Sequence, residues 1–195
     1  MPRLLLASVV VLATFACPAL AQNPPAPPPG GTLHTPTPLQ PGDPFGEEIT
    51  LPERTIVFFK GSGIWVNAFD TLAAAFKALN QYVDSQGIKP TGKAMTIYTR
   101  TDDKGFDFQA ALPVAEPPKD LPKGDIAAGP APAGKAMKFT HRGSFDALDM
   151  TYEAITNHLD GKRLEARDMF IEEYAGDAMK NAEDQLVVTI IVPLR

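Results

Sequence analysis

Cysteine is nearly missing from this chain: 195 residues contain one, Cys17. It falls in an N-terminal segment expected to be removed, so the mature protein has no thiol. That excludes disulfides, thiolate catalysis and cysteine-ligated metal, and leaves stability to a packed core. Histidine is scarce too, with three in the chain. His34 stands in a proline-rich stretch, and His141 and His158 fall in different elements without ligand spacing. No metal site and no cofactor is expected. The formal net charge of −5 becomes −6 once Arg3 leaves with the N-terminal segment. An acidic chain with no basic cluster is a poor binder of phosphate backbones, so nucleic acid is not an expected partner. Beyond residue 21 no apolar run reaches the roughly 20 residues that a bilayer span needs, so no membrane span is expected in the mature chain.

What is present begins with an export signal. Arg3 supplies a short basic region, Leu4–Ala16 is apolar apart from Ser8 and Thr14, and Ala19-Leu20-Ala21 offers the small residues of a cleavage site. Residues 1–21 therefore read as a secretory signal peptide cut after Ala21, which places the mature chain in the periplasm or outside the cell. Lipid attachment at Cys17 is disfavoured, because Thr14 stands where a lipobox carries an aliphatic residue. Residues 22–53 read as a proline-rich tether that cannot bury enough apolar surface to offset its ordering entropy. A second proline- and glycine-rich break, residues 115–132, divides the remainder.

The two halves resemble each other at an offset of 76 residues: Phe69-Asp70 with Phe145-Asp146, Leu72 with Leu148, Phe76 with Tyr152, Leu79 with Ile155, Tyr98 with Tyr174. Each half spells strand, helix, strand, strand. Thr55–Lys60 is a β-branched and aromatic run, and Phe69, Leu72, Phe76, Leu79 and Val83 share a helical stripe. Helices are expected near 67–86 and 144–160, with Asn67 and Ser144 as N-caps and Gly87 and Gly161 as stops. Strands are expected at 94–100 and 106–114, then at 135–142, 167–174 and 185–194. The fold class is α+β: duplicated β-α-β-β units with pseudo-two-fold symmetry, a mainly antiparallel sheet and two main helices. The folded domain is residues 54–195, with repeat one at 54–114 and repeat two at 133–195.

Familiar chemical motifs fail on inspection. Gly129 to Lys135 has the spacing of a phosphate-binding loop, yet Ala136 replaces the magnesium-binding hydroxyl and Pro130 and Pro132 remove backbone donors. His141 lies near Ser144, but no nucleophile elbow surrounds them. The pair Glu172-Glu173 differs. Strand alternation puts Phe170, Glu172 and Tyr174 on one face and Glu173 on the other; if both faces are covered, at least one glutamate points into a cavity or cleft, the alternative being that both are partly exposed on an open sheet face.

The segment Glu172-Glu173-Tyr174-Ala-Gly-Asp177 followed by Val188–Pro193 resembles the C-terminal signature of GyrI-like domains, also called bacterial effector-binding domains. Arg142-Gly143-Ser144-Phe145 leading to Tyr152, and Gly92–Tyr98, resemble the family's second-repeat helix start and first-repeat strand. The resemblance covers about residues 54–195. It implies a ligand cavity between the repeats, with a glutamate ringed by aromatics that meets cationic lipophilic ligands. Glu172 fits that position, with Tyr98, Phe145, Tyr152, Phe170 and Tyr174 as walls. The leading reading is a periplasmic or secreted small-molecule-binding protein. One alternative is a small-molecule hydrolase in which Glu172 acts as base and Trp65 lines the pocket. The other is a module that takes a peptide or protein.

Overall fold

The computed structural model describes residues 37–121, 124–176 and 186–195. The expected signal peptide, the tether up to residue 36, Asp177 and Gln185 lie outside the described residues. Eight strands and two helices follow in the order β1 (Phe45–Leu51), β2 (Thr55–Ile64), α1 (Ala68–Ser85), β3 (Met95–Thr101), β4 (Gly105–Val114), β5 (Ile126–Pro130), β6 (Gly134–Gly143), α2 (Leu148–Lys162), β7 (Phe170–Tyr174) and β8 (Leu186–Pro193). All pair antiparallel in one sheet of order β1-β6-β8-β7-β3-β4-β2-β5. This is the duplicated α+β arrangement, with β3 and β7 side by side at its centre.

The repeat is larger than the sequence pattern suggests. Residues 45–51, assigned to the tether, form β1, and residues 126–130, assigned to the central break, form β5. Each outer strand precedes one repeat and pairs with the other: β1 with β6, β5 with β2. Only three residues separate Leu51 from Thr55, and three separate Pro130 from Gly134. Each connection spans at most about 15 Å. In a flat sheet the strands it joins would lie six spacings, or roughly 29 Å, apart. The sheet must therefore curl until its ends approach, and an Ala131 N–H to Arg54 carbonyl bond of 2.8 Å ties the two crossings together. The curl explains a core on the face without helices, where Ile56, Phe58, Met95, Ile97, Ile171 and Ile191 pack with Leu51 and Ala131.

On the other face, α1 buries Leu72, Ala75, Phe76, Leu79 and Val83, and α2 buries Leu148, Tyr152, Ile155 and Leu159. Gly87 ends α1 as expected: its φ of 63° suits the left-handed region, and the Ile88 N–H bonds the Val83 carbonyl at 2.9 Å. The other helix signals need correction. Asn67 makes no capping hydrogen bond, and neither does Ser144. A 3-10 turn, Phe145–Ala147, precedes α2, so the helix proper begins four residues after Ser144. Gly161 lies inside α2, and Arg163 adopts the left-handed conformation that stops it. One such residue past the last turn is enough, and tertiary packing chose which.

Candidate functional site

The central strands carry the site. Thr96 on β3 stands opposite Glu172 on β7, and the same two residues are equivalent at the 76-residue offset. The pseudo-two-fold axis therefore passes through this pair. Phe69 and Phe145, also equivalent, meet edge to face at 5.7 Å, so the axis runs between them above the sheet. Side-chain alternation sends Glu172 toward the helices and Glu173 to the opposite face. There Glu173 pairs with Arg54 at 3.1 Å.

Glu172 is 1% exposed. Three phenols hold it: Tyr152 donates to Oε1 at 2.6 Å, Tyr174 to Oε2 at 2.8 Å and Tyr98 to Oε2 at 3.2 Å. Tyr98 and Tyr174 are symmetry mates, so they approach the axial carboxylate from its two sides. Tyr152 has Phe76 as its mate, and the third donor exists only in repeat two. The Tyr174 oxygen also lies 2.8 Å from Thr96 Oγ1. One phenol has one proton, so with Tyr174 donating to Glu172, the Thr96 hydroxyl donates to Tyr174.

Burial raises the carboxyl pKa, and the three phenol hydrogen bonds oppose that rise without cancelling it. All three tyrosines are pushed well above their ordinary value, first by burial and then by the charge of Glu172. They remain protonated donors at any physiological pH. The cluster can hold a proton on Glu172 or stabilise its charge, and a positive group brought close would favour the ionised form.

Aromatic rings enclose it. Tyr98 stacks on Phe170 at 4.4 Å, Tyr152 meets Phe170 at 4.8 Å and Phe76 meets Tyr174 edge to face at 5.8 Å. Trp65, in a 3-10 turn before α1, lies over Tyr98 at 6.3 Å and Phe106 at 4.7 Å, with its indole N–H bonded to the Asp102 carbonyl at 2.7 Å. Glu172, Tyr98, Tyr152, Phe170 and Tyr174 thus come together directly. Phe145 stands farther out at the helix starts, and Trp65 stands at the rim. With these rings around it the carboxylate is closed off from solvent. Sequence reasoning missed Phe69 and Phe76 as ring partners, although the 76-residue offset pairs them with Phe145 and Tyr152.

His141 and Ser144 do not form a base–nucleophile pair. His141 is 1% exposed, and burial lowers its pKa. Its Nε2 faces the Ser144 carbonyl at 3.0 Å and its Nδ1 faces Thr151 Oγ1 at 2.7 Å. Nε2 must donate to the carbonyl, so Nδ1 accepts from Thr151 and no ring nitrogen is left to activate the Ser144 hydroxyl. Among the described residues no cluster of histidines or carboxylates could hold a metal ion. No described helix is long and apolar enough to cross a membrane.

No curated protein sequence matches the chain. Among solved structures, it is similar to a chain of the EcmrR–DNA complex, at TM-score 0.66 and 18% identity, covering 77% of this chain and 57% of that one. The chain thus spans little more than half of that relative. It is similar to SAV2435 bound to tetraphenylphosphonium, at TM-score 0.53 and 16% identity, covering 77% and 94%. It is also similar to a hydrolase encoded by lin2189 from Listeria innocua, at TM-score 0.52 and 12% identity, covering 76% and 91%. At such identities these likenesses establish the fold. The sequence matches the GyrI-like small molecule binding domain over residues 47–195, and the chain belongs to that family.

Proposed function

We propose that this GyrI-like domain is exported and binds a lipophilic cation at Glu172, between its two repeats. The carrying observation is a single carboxylate, 1% exposed, held by three tyrosine hydroxyls inside a shell of rings. An ionised carboxylate so placed is costly without a compensating charge. A flat cation supplies the charge and stacks on the rings, at about 0.5–2 kcal/mol per cation–π contact. Binding requires the Phe69–Phe145 pair, or the rings beneath it, to part. SAV2435, bound to tetraphenylphosphonium, shares the fold and supports this ligand class. Calorimetric titration with methyltriphenylphosphonium and its neutral near-isostere triphenylphosphine oxide tests the reading. The cation should bind at least roughly tenfold more tightly, a difference of about 1.4 kcal/mol. Equal affinities would refute it.

The hydrolase reading draws on the raised carboxyl pKa of Glu172, which suits a general base. It lacks a second acid and a nucleophile within the cluster, so binding is the stronger proposal. Export rests on residues 1–21. The mature protein should begin at Gln22 and fractionate with the periplasm or the medium. N-terminal sequencing that recovers Met1, or mass spectrometry that finds lipid on Cys17, would overturn this.

A further inference from the structure

An open groove of about 620 Å³ lies where the end of β2, the β3–β4 turn and the start of α1 meet. That volume is within the range of small-molecule sites. Phe106 and Asp102 line it, with Asn67, Thr71 and Lys104 around them. Arg100 lines it too, but its guanidinium is engaged by Asp102 and Asp107. Asp102, Asp103 and Asp107 also outnumber the two basic residues of this turn, so a cation is not repelled there.

Trp65, the chain's one tryptophan, separates this groove from the carboxylate. On the groove side it packs on Phe106 at 4.7 Å and bonds the Asp102 carbonyl at 2.7 Å. On the other it lies over Tyr98 at 6.3 Å, and Tyr98 donates to Glu172. Contacts thus run unbroken from groove to carboxylate through two rings. They are also the weakest part of the seal. The turn that carries Trp65 buries none of its residues, Ile64 and Val66 on either side of it are 52% and 83% exposed, and one hydrogen bond holds the indole. The Tyr98 bond to Glu172, at 3.2 Å, is the longest of the three. The wall between the helix starts is firmer, since Phe145 and Ala147 beside it are buried. We infer that the cation reaches Glu172 from this groove and that Trp65 is the gate. This rests on the proposed cation site and assigns its way in. Opening breaks the indole hydrogen bond and the contact with Tyr98, and Tyr98 then yields its bond to Glu172. With Glu172 1% exposed, association waits for the open form, and its rate scales with the open fraction. The gate closes over the empty and the filled cage alike, so its energy enters both rates and cancels from Kd.

The test is phosphorus NMR exchange spectroscopy of methyltriphenylphosphonium, which reads association and dissociation without using the tryptophan as reporter. Trp65→Phe keeps a ring against Phe106 and Tyr98 and loses the indole N–H. Both rates should rise roughly fivefold, as one lost hydrogen bond allows, with Kd nearly unchanged. A purely structural role for Trp65 would weaken binding without speeding association, and that result overturns the gate. Unchanged rates in Trp65→Phe overturn it as well; faster exchange in Phe69→Leu would then put the way in between the helix starts. Glu172→Gln keeps the two readings apart. If it weakens the cation while Trp65→Phe leaves both rates as they were, the cation site stands and the gate alone falls. If it leaves the cation's affinity unchanged, the cation site falls and the gate with it.

Discussion

Glu172→Gln is expected to weaken methyltriphenylphosphonium by about 2–5 kcal/mol, the range for truncating one member of a buried charge pair. That exceeds tenfold in Kd. Triphenylphosphine oxide should be almost unaffected, because glutamine preserves shape: its amide oxygen can accept from Tyr98 and Tyr174 while its NH2 donates to the Tyr152 oxygen. Glu173→Gln should do little to either ligand, since Glu173 lies on the far face beside Arg54. Equal losses for the two compounds, or a larger effect at Glu173, would show that the carboxylate does not read ligand charge. The same substitution has a signature without ligand. Burial raises the Glu172 pKa above its ordinary value of 4.5, so between that value and the higher folded value the native state holds more protons than the unfolded chain. Wild-type stability then falls as pH rises through this window. Glutamine cannot ionise, so the variant should gain on wild type as pH rises from about 4.5, and the gap should stop changing at lower pH. Urea unfolding across that range reads the difference, and parallel curves would mean that Glu172 is not desolvated. Loss of turnover of a compound whose binding survives in Glu172→Gln would establish the hydrolase reading instead.

Removal of everything before Pro52 should cost about 4–6 kcal/mol, from lost burial of Leu51 and Ile49 and lost pairing to β6. Against the 5–15 kcal/mol that stabilises most domains, that is a large share. Phe45 would leave its edge-to-face contacts with Phe139 at 5.1 Å and His158 at 6.2 Å. Gly46 shows how closely that segment fits: its φ is 83°, and an added Cβ would meet the His158 ring. A chain beginning at Pro52 also exposes the β6 edge to pairing with other molecules, so association should accompany the loss. A chain beginning at Gly42 keeps β1 and the Asp43–Arg142 pair, bonded at 2.6 and 2.9 Å, and should unfold like the longer protein. In the longer protein the Arg142 guanidinium, followed by the Gln40 N–H at 2.7 Å, holds the Asp43 carboxyl down to about 2. Their contribution is therefore present above pH 3.8 and lost as pH falls toward 2. Equal urea midpoints for the two truncated chains would return residues 45–51 to the tether.

Much of this protein was legible in its residues. Periodicity of 3.6 over Leu72–Val83 and of two over Phe106–Leu112 reports which side of an element faces a core, and this information is local. The 76-residue offset carried the symmetry, and with it the equivalence of Thr96 and Glu172. Alternation along Phe170–Tyr174 was enough to part Glu172 from Glu173. The outer strands were hidden for a physical reason. Phe45–Leu51 and Ile126–Pro130 are edge strands whose structure comes from the strand beside them, contributed by the opposite repeat; Gly46-Glu47-Glu48 interrupts the apolar pattern of the first, and the second is mostly Ala, Gly and Pro. The helix ends were misplaced because Asn67, Ser144 and Gly161 can each cap or stop a helix, and packing selects among such candidates. The closing of the carboxylate lay wholly beyond the sequence. Three phenols from β3, α2 and β7 converge on Glu172 only after the repeats pair along β3 and β7, and the stacking of Tyr98 on Phe170 beside it joins residues 72 positions apart. Composition and alternation decide which groups must be buried; the geometry in which buried groups satisfy one another is decided by the tertiary fold.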